Sequence, residues 1–186
     1  KIIVASIPAG VVGILWDDVF TKYFYNYQTV AIMLILVGVV FIIIERSNKN
    51  KIAKIDSIDD ISYGQAFLIG VFQMIAAIFP GTSRSGSTIV GSLMLGISRT
   101  AAAEFTFFLA VPAMFGGSAI KILKYNGGFN SAEVALLAIG MIVAFVLSII
   151  AIKFLMSYIK KHDFKVFGWY RIILGIAVIG YFLAAR

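Results

Sequence analysis

The sequence predicts an all-α polytopic membrane protein with about five spanning helices and one re-entrant helix-loop-helix. Three observations carry this reading. Of the 186 residues, 61% are hydrophobic and only 13% are charged, and mean hydropathy is +0.98, which is far too apolar for a soluble domain of this size. Apolar runs close to the ~20 residues needed to cross ~30 Å of hydrocarbon recur along the chain. One longer run is interrupted midway by Pro80-Gly81 and by a cluster of hydroxyls around Arg84.

Taken in order, the first run is Ile2–Trp16, expected as a helix broken by Pro8 and Gly10. The sequence starts at Lys1 without an initiator methionine and reads as a fragment of a longer chain. No small-residue cleavage site of a signal peptide follows this run. Asp17 and Asp18 read as solvated loop residues, and Tyr23, Phe24, Tyr25 and Tyr27 as an interfacial aromatic belt. Thr29–Ile44 is the second span. Glu45 to Asp60 is the most polar stretch, holds both signs of charge, and is predicted to be a surface loop with room for a short helix. Tyr63–Ile97 is too long for one helix, so two half-helices joined by a polar turn are expected. Irregular backbone at membrane depth is tolerated only inside protein or beside a wet cavity. Ala101–Ile122, Glu133–Tyr158 and Phe167–Ala185 complete the spans.

If Tyr63–Ile97 turns back, Arg46, Lys49, Lys51, Lys54, Arg99, Lys160, Lys161 and Lys165 share one side, against Lys22, Lys121 and Lys124 on the other. The heavier side should be cytoplasmic. Lys153 and Arg171, near span ends, are expected to snorkel, and His162 to face headgroups. Gly116, Gly117, Ala119, Gly140, Gly175 and Gly180 suit close helix packing. The whole, residues 1–186, reads as a single integral membrane domain, with the hairpin at 63–97.

Composition excludes several chemistries. The chain has no cysteine, hence no disulfide framework or thiolate metal site, and one histidine, hence no histidine cluster. The net charge of +7 comes from short basic clusters beside apolar runs, a pattern of topology and lipid-headgroup contact rather than of nucleic-acid binding.

The chemistry concentrates in Phe79-Pro80-Gly81-Thr82-Ser83-Arg84-Ser85-Gly86-Ser87-Thr88, where one guanidinium stands among five hydroxyls and two glycines. An unpaired arginine in hydrocarbon costs at least ~2.5 kcal/mol, so a charge here implies a partner. Phosphate fits best: arginine offers a planar fork of donors, and a Gly-rich turn opening a helix adds N–H groups and a positive dipole end. Competing roles for Arg84 are a pair with Glu104 or a helix cap. Glu104 itself reads as a helix-start carboxylate. A transporter, channel or flippase with a re-entrant anion-binding loop is the alternative reading, because broken helices with polar tips serve those proteins too. A cation pathway would call for acidic residues within the spans, and Glu104 is nearly alone.

The run from Gln73 through Thr88, with Tyr63-Gly64-Gln65-Ala66-Phe67 before it and Gly96-Ile97-Ser98-Arg99, Ala103-Glu104-Phe105 and Ala110-Val111-Pro112 after it, resembles the second signature of the undecaprenyl-diphosphate phosphatases, the bacterial bacitracin-resistance proteins. The resemblance extends over essentially the whole chain. It implies hydrolysis of undecaprenyl diphosphate to the monophosphate at the bacterial plasma membrane, which recycles the carrier for cell-wall synthesis and confers bacitracin resistance. By that resemblance Arg84, Ser83 and Thr88 are catalytic residues. Gly81, Thr82, Ser85, Gly86 and Ser87 would contact the substrate phosphates. Partners would be the polyprenyl diphosphate and the bilayer, with homo-oligomerisation left open, and the cofactor a divalent cation, Mg or Ca.

The family's first signature, E-x-x-x-E followed by P-V-S-S-T-G-H, supplies acidic residues and a histidine and has no counterpart here. The chain resembles the end of the first and all of the second of two inverted halves, with Gln73 near where the other half carries a glutamate. No metal ligand is therefore expected in this chain, and the fragment alone is expected to be inactive. Whether serine or water is the nucleophile stays open.

Overall fold

The computed structural model describes residues 1–49, 51–125, 127–128 and 130–184. Among these the chain forms α1 (Ile2–Phe24), α2 (Tyr27–Asn48), α3 (Tyr63–Ile78), α4 (Arg84–Met94), α5 (Arg99–Lys124), α6 (Ser131–Ile159) and α7 (Lys165–Ala184), with a single 3₁₀ turn at Ile58–Asp60. In hydrocarbon every backbone polar group has to be satisfied within its own segment, and helices do so. Their starts are marked in the sequence. Asn26 caps α2, Ser98 caps α5, and reciprocal capping boxes open α3 (Ser62 with Gln65) and α6 (Asn130 with Glu133).

Helices α2, α5, α6 and α7 are long and apolar enough to cross a membrane, and α1 makes a fifth if its halves, bent by 81°, count as one span. The protein is thus an all-α polytopic membrane protein, as its composition predicted. One detail differs: α1 continues through Pro8 and Gly10, and the bend falls between Trp16 and Asp18. Proline removes one intrahelical bond but holds a helical φ, so a membrane helix can carry it.

Helices α3 and α4 form a hairpin whose outer ends meet at one face. Ile55 and Ile97 form an isolated bridge, flanked by Lys54 N–H to the Gly96 carbonyl and Ser98 N–H to the Ile55 carbonyl, each 2.8 Å. The segment leading into α3 and the turn leaving α4 are therefore side by side. With 16 and 11 residues, the two are about 24 and 16 Å long, too short to span. One apolar cluster, including Ala5, Ile69, Ala102 and Phe105, holds α3 between α1 and α5, and a second, including Phe41, Ile89, Leu93 and Phe164, holds α4.

α2 and α7 lie antiparallel. Tyr27 stacks on Phe182 at one end, 3.9 Å between ring centroids, and Phe41 meets Phe164 toward the other. Between them the backbones touch at Gly38 and Gly168, where a Cβ on Gly38 would sit 2.7 Å from the Gly168 carbonyl oxygen. Of the glycines expected to pack closely, Gly175 does, whereas Gly116, Gly117, Gly140 and Gly180 have open space around the Cβ position. The reason lies in α6, exposed along nearly its whole length with Ile159 its one buried residue, in the exposed second half of α5 and in the exposed end of α7 from Gly180 onward.

The polar 45–60 stretch is only partly a surface loop. Glu45 belongs to α2 and is 1% exposed. Its carboxylate pairs with Arg99 and accepts a hydrogen bond from the Phe164 N–H at 3.1 Å. A buried acid is stable when an arginine fork and an amide satisfy it together.

Candidate functional site

The hairpin tip is built by residues that cannot continue a helix. α3 ends at Ile78 with Phe79 as its cap, and Pro80 and Gly81 follow. Gly81 has φ +89°, and a Cβ there would lie 2.5 Å from the Val30 carbonyl oxygen, so the turn needs glycine for both conformation and space. Ser83, with φ +64°, caps α4: its Oγ accepts from the Gly86 N–H at 3.2 Å and its carbonyl from the Ser87 N–H at 2.9 Å. The N–H groups of Arg84 and Ser85 have no acceptor among the described residues. They point from the positive end of the α4 dipole, a ready anion cradle.

The side chains sort into two sets. Arg84 and Ser85 are exposed, Ser83 is half-buried, and the Ser83 and Ser85 hydroxyls are 3.3 Å apart. The Arg84 side chain has no hydrogen bond or ion pair among the described residues, and neither has that of the half-buried Glu104. The conceivable Arg84–Glu104 pair is not formed. Thr82, Ser87 and Thr88 turn inward. Ser87 donates to the Phe72 carbonyl at 2.5 Å, joining α4 to α3. The Thr88 hydroxyl, fully buried, bonds the Arg84 and Ser85 carbonyls at 3.1 Å each and Thr106 Oγ1 at 2.9 Å, joining α4 to α5. Thr82 Oγ1 is buried without a partner. Gly86 is buried, and a Cβ on it would meet Ser83 Oγ, Phe41 and Arg171 at 3.2–3.3 Å. Gln73 is buried on α3.

Arg171 is the residue that sequence reasoning passed over. Rather than snorkelling, its Nη1 donates to the carbonyls of Gly81 at 3.3 Å and Thr82 at 3.2 Å. A turn with no helical partners for its carbonyls needs a donor inside hydrocarbon, and α7, clamped to α2 beside Gly38, supplies one. The signal was present in the sequence: a charge six residues past Lys165 in an apolar run ought to have a partner. A cavity of about 110 Å³ adjoins the tip, lined by Ser83, Ser85, Gly86, Thr106 and Arg171 together with apolar side chains such as Phe107. No group of three or more His, Cys, Asp or Glu side chains that could hold a metal ion occurs among the described residues.

These features can be set against known proteins. A family profile described as "Bacitracin resistance protein BacA" matches residues 1–177. A relative from Desulfitobacterium hafniense (strain DSM 10664 / DCB-2), named undecaprenyl-diphosphatase, is 65% identical over 184 residues, covering 99% of this chain and 66% of its own length. "Undecaprenyl-diphosphatase 1" of Clostridium acetobutylicum is 62% identical, covering 98% of this chain and 67% of its own length. An undecaprenyl-diphosphatase of Enterococcus faecalis is 59% identical, covering 96% and 64%. The chain spans about two thirds of the length of the curated relatives it matches.

Proposed function

This chain belongs to the family of the bacitracin resistance protein BacA, and we propose that its parent protein hydrolyses undecaprenyl diphosphate to undecaprenyl phosphate and inorganic phosphate. One water is consumed, the bond between the terminal phosphorus and the bridging oxygen breaks, and the lipid monophosphate leaves as the carrier for another round of cell-wall synthesis. The location is the bacterial plasma membrane, with the Arg46 end of α2, the Arg99 end of α5 and the Lys165 end of α7 on the cytoplasmic side.

The observation that carries this reading is Arg84, an exposed guanidinium without a protein partner among the described residues, beside the unbonded N–H groups of Arg84 and Ser85. A diphosphate brings several negative charges on a lipid confined to the bilayer. Preorganised N–H donors and a cation in a site poor in water bind such a group and stabilise the charge that develops as it is cleaved. Within this proposal residues 1–186 form one integral membrane domain and 63–97 the phosphate-binding hairpin. Arg84 clamps the terminal phosphate, and the Ser83 and Ser85 hydroxyls add hydrogen bonds. Gly81 and Gly86 let the backbone come close, while Thr82, Ser87 and Thr88 hold the cradle in shape from behind.

A divalent cation, Mg or Ca, is part of the proposal through family membership, and would offset phosphate charge when bound. The described residues do not fit one, for lack of an acidic cluster, so no step is derived through it. Its ligands are proposed to lie in the third of the relatives that this chain does not match.

The test is phosphate release from undecaprenyl diphosphate by the full-length parent in detergent, with Mg present. Wild type should release phosphate, and Arg84→Ala should lower kcat about 100-fold or more, the scale for losing one preorganised donor. No release by the wild type, or ion flux through liposomes without release, overturns the reading. Undiminished release by Arg84→Ala overturns the role of Arg84.

A further inference from the structure

We infer that Arg171 is a positioning residue of the phosphate site, a second guanidinium that sets the hairpin tip from behind and turns its free edge toward the bound phosphate. The inference rests on the phosphatase reading above. Three observations converge on it. Nη1 binds two successive carbonyls of the turn, Gly81 and Thr82. The peptide that carries the Thr82 carbonyl also carries the Ser83 N–H, which points the opposite way, so fixing that carbonyl fixes how the chain enters Ser83 and α4.

Ser83 sits at φ +64°, a conformation a non-glycine residue keeps only where its surroundings enforce it. The Arg171 fork is one such restraint, acting on the residue just before. Nη2 has no acceptor among the described residues. It lies close to Gly86, where a Cβ would come within 3.2 Å of it. Arg171 lines the cavity together with Ser83 and Ser85. A half-buried guanidinium with one edge bonded and the other facing a cavity is short of an anion. The site therefore offers two cations of different kinds, an exposed and unpaired one in Arg84 and one anchored to the turn in Arg171.

The experiment compares wild type, Arg171→Lys and Arg171→Ala in the full-length parent. Thermal unfolding in detergent and hydrogen exchange of residues 81–86 accompany the kinetics. With undecaprenyl diphosphate as substrate, Arg171→Ala should lose about 100-fold in kcat. KM should change little, because the long isoprenoid tail supplies uniform binding. Millimolar guanidinium should restore part of the rate in Arg171→Ala, which a purely packing role would not allow. Arg171→Lys keeps the charge and should fold, but its ammonium on a flexible stem lacks the planar guanidinium that fixes the direction of these bonds and has no second nitrogen to offer the cavity; exchange at 81–86 should quicken and kcat should still fall. If either variant shows wild-type kcat, or if exchange at 81–86 is unchanged in Arg171→Lys, the inference is overturned even when the phosphatase reading stands. If wild type releases no phosphate, that reading fails, and the exchange data still decide whether Arg171 sets the loop.

Discussion

Glu45 and Arg99 form a two-pronged ion pair between the end of α2 and the start of α5, with Arg99 Nε 3.0 and 3.1 Å from the two carboxylate oxygens and Nη2 also on Oε2. The Phe164 N–H reaches the same carboxylate, so three segments are tied at one point. That point sets where α7 begins and hence where Arg171 arrives along α2.

Removing one partner strands the other. Glu45 is 1% exposed and Arg99 37%, so Arg99→Ala leaves the more deeply buried charge uncompensated and should cost about 3 kcal/mol. Arg99→Lys should recover only part, because the forked geometry is lost. Unfolding in detergent measures both. If Arg99→Lys is as stable as wild type, the pair acts as simple charge rather than as a fork.

Much of this was legible in the sequence. Hydropathy and length located the spans, and Pro80-Gly81 located the turn-back, since no helix could run from Tyr63 to Ile97. What escaped was pairing between distant segments. Glu45 lay in a polar stretch and so read as surface, although its partners Arg99 and Phe164 stand 54 and 119 residues away. Arg171 escaped because snorkelling satisfies any cation near a span end; only the approach of α7 to the Gly81 carbonyl distinguishes the alternatives. The exposed glycines of α5 and α6 looked the same in sequence as the packed Gly38 and Gly168. Motif residues divided on similar grounds: Thr88 and Ser83 are alike in chemistry, but Thr88 lies within α4 and faces Thr106, whereas Ser83 caps the helix from the turn and lines the cavity.

The Thr88–Thr106 hydrogen bond, 2.9 Å and buried, is a second such tie. Thr88→Val should lower stability by about 1 kcal/mol, in the range measured for hydrogen bonds between membrane helices. Combined with Thr106→Val in a double-mutant cycle, the effects should be less than additive. A fall in phosphate release far exceeding the loss of stability would instead mean that the Thr88 hydroxyl touches substrate.

Close contact at Gly38 and Gly168 makes α2 and α7 intolerant of volume. A methyl on Gly38 would lie 2.7 Å from the Gly168 carbonyl oxygen and 2.8 Å from Ile172 Cγ1, and backbone cannot give way as a flexible side chain would. Gly38→Ala should destabilise by about 1–3 kcal/mol. Arg171, beside the same contact at 3.3 Å, would move with α7, so kcat should drop as well. Gly140→Ala on exposed α6, with nothing near its Cβ position, is the control and should be silent in both assays.

Ser83 separates backbone from side chain. Its φ of +64° costs a non-glycine residue of order 1–3 kcal/mol, which Ser83→Gly relieves and Ser83→Ala does not. Both substitutions remove the hydroxyl that accepts the Gly86 N–H at 3.2 Å, and losing a serine cap costs ~1 kcal/mol. Ser83→Gly should therefore be close to wild type in unfolding, and Ser83→Ala clearly less stable. Activity should follow a different order: if the hydroxyl bonds the phosphate, both variants lose rate together, with Ser83→Gly slow despite its stability. A fast Ser83→Gly enzyme would instead make Ser83 a backbone device alone, leaving the phosphate to Arg84 and the α4 amides.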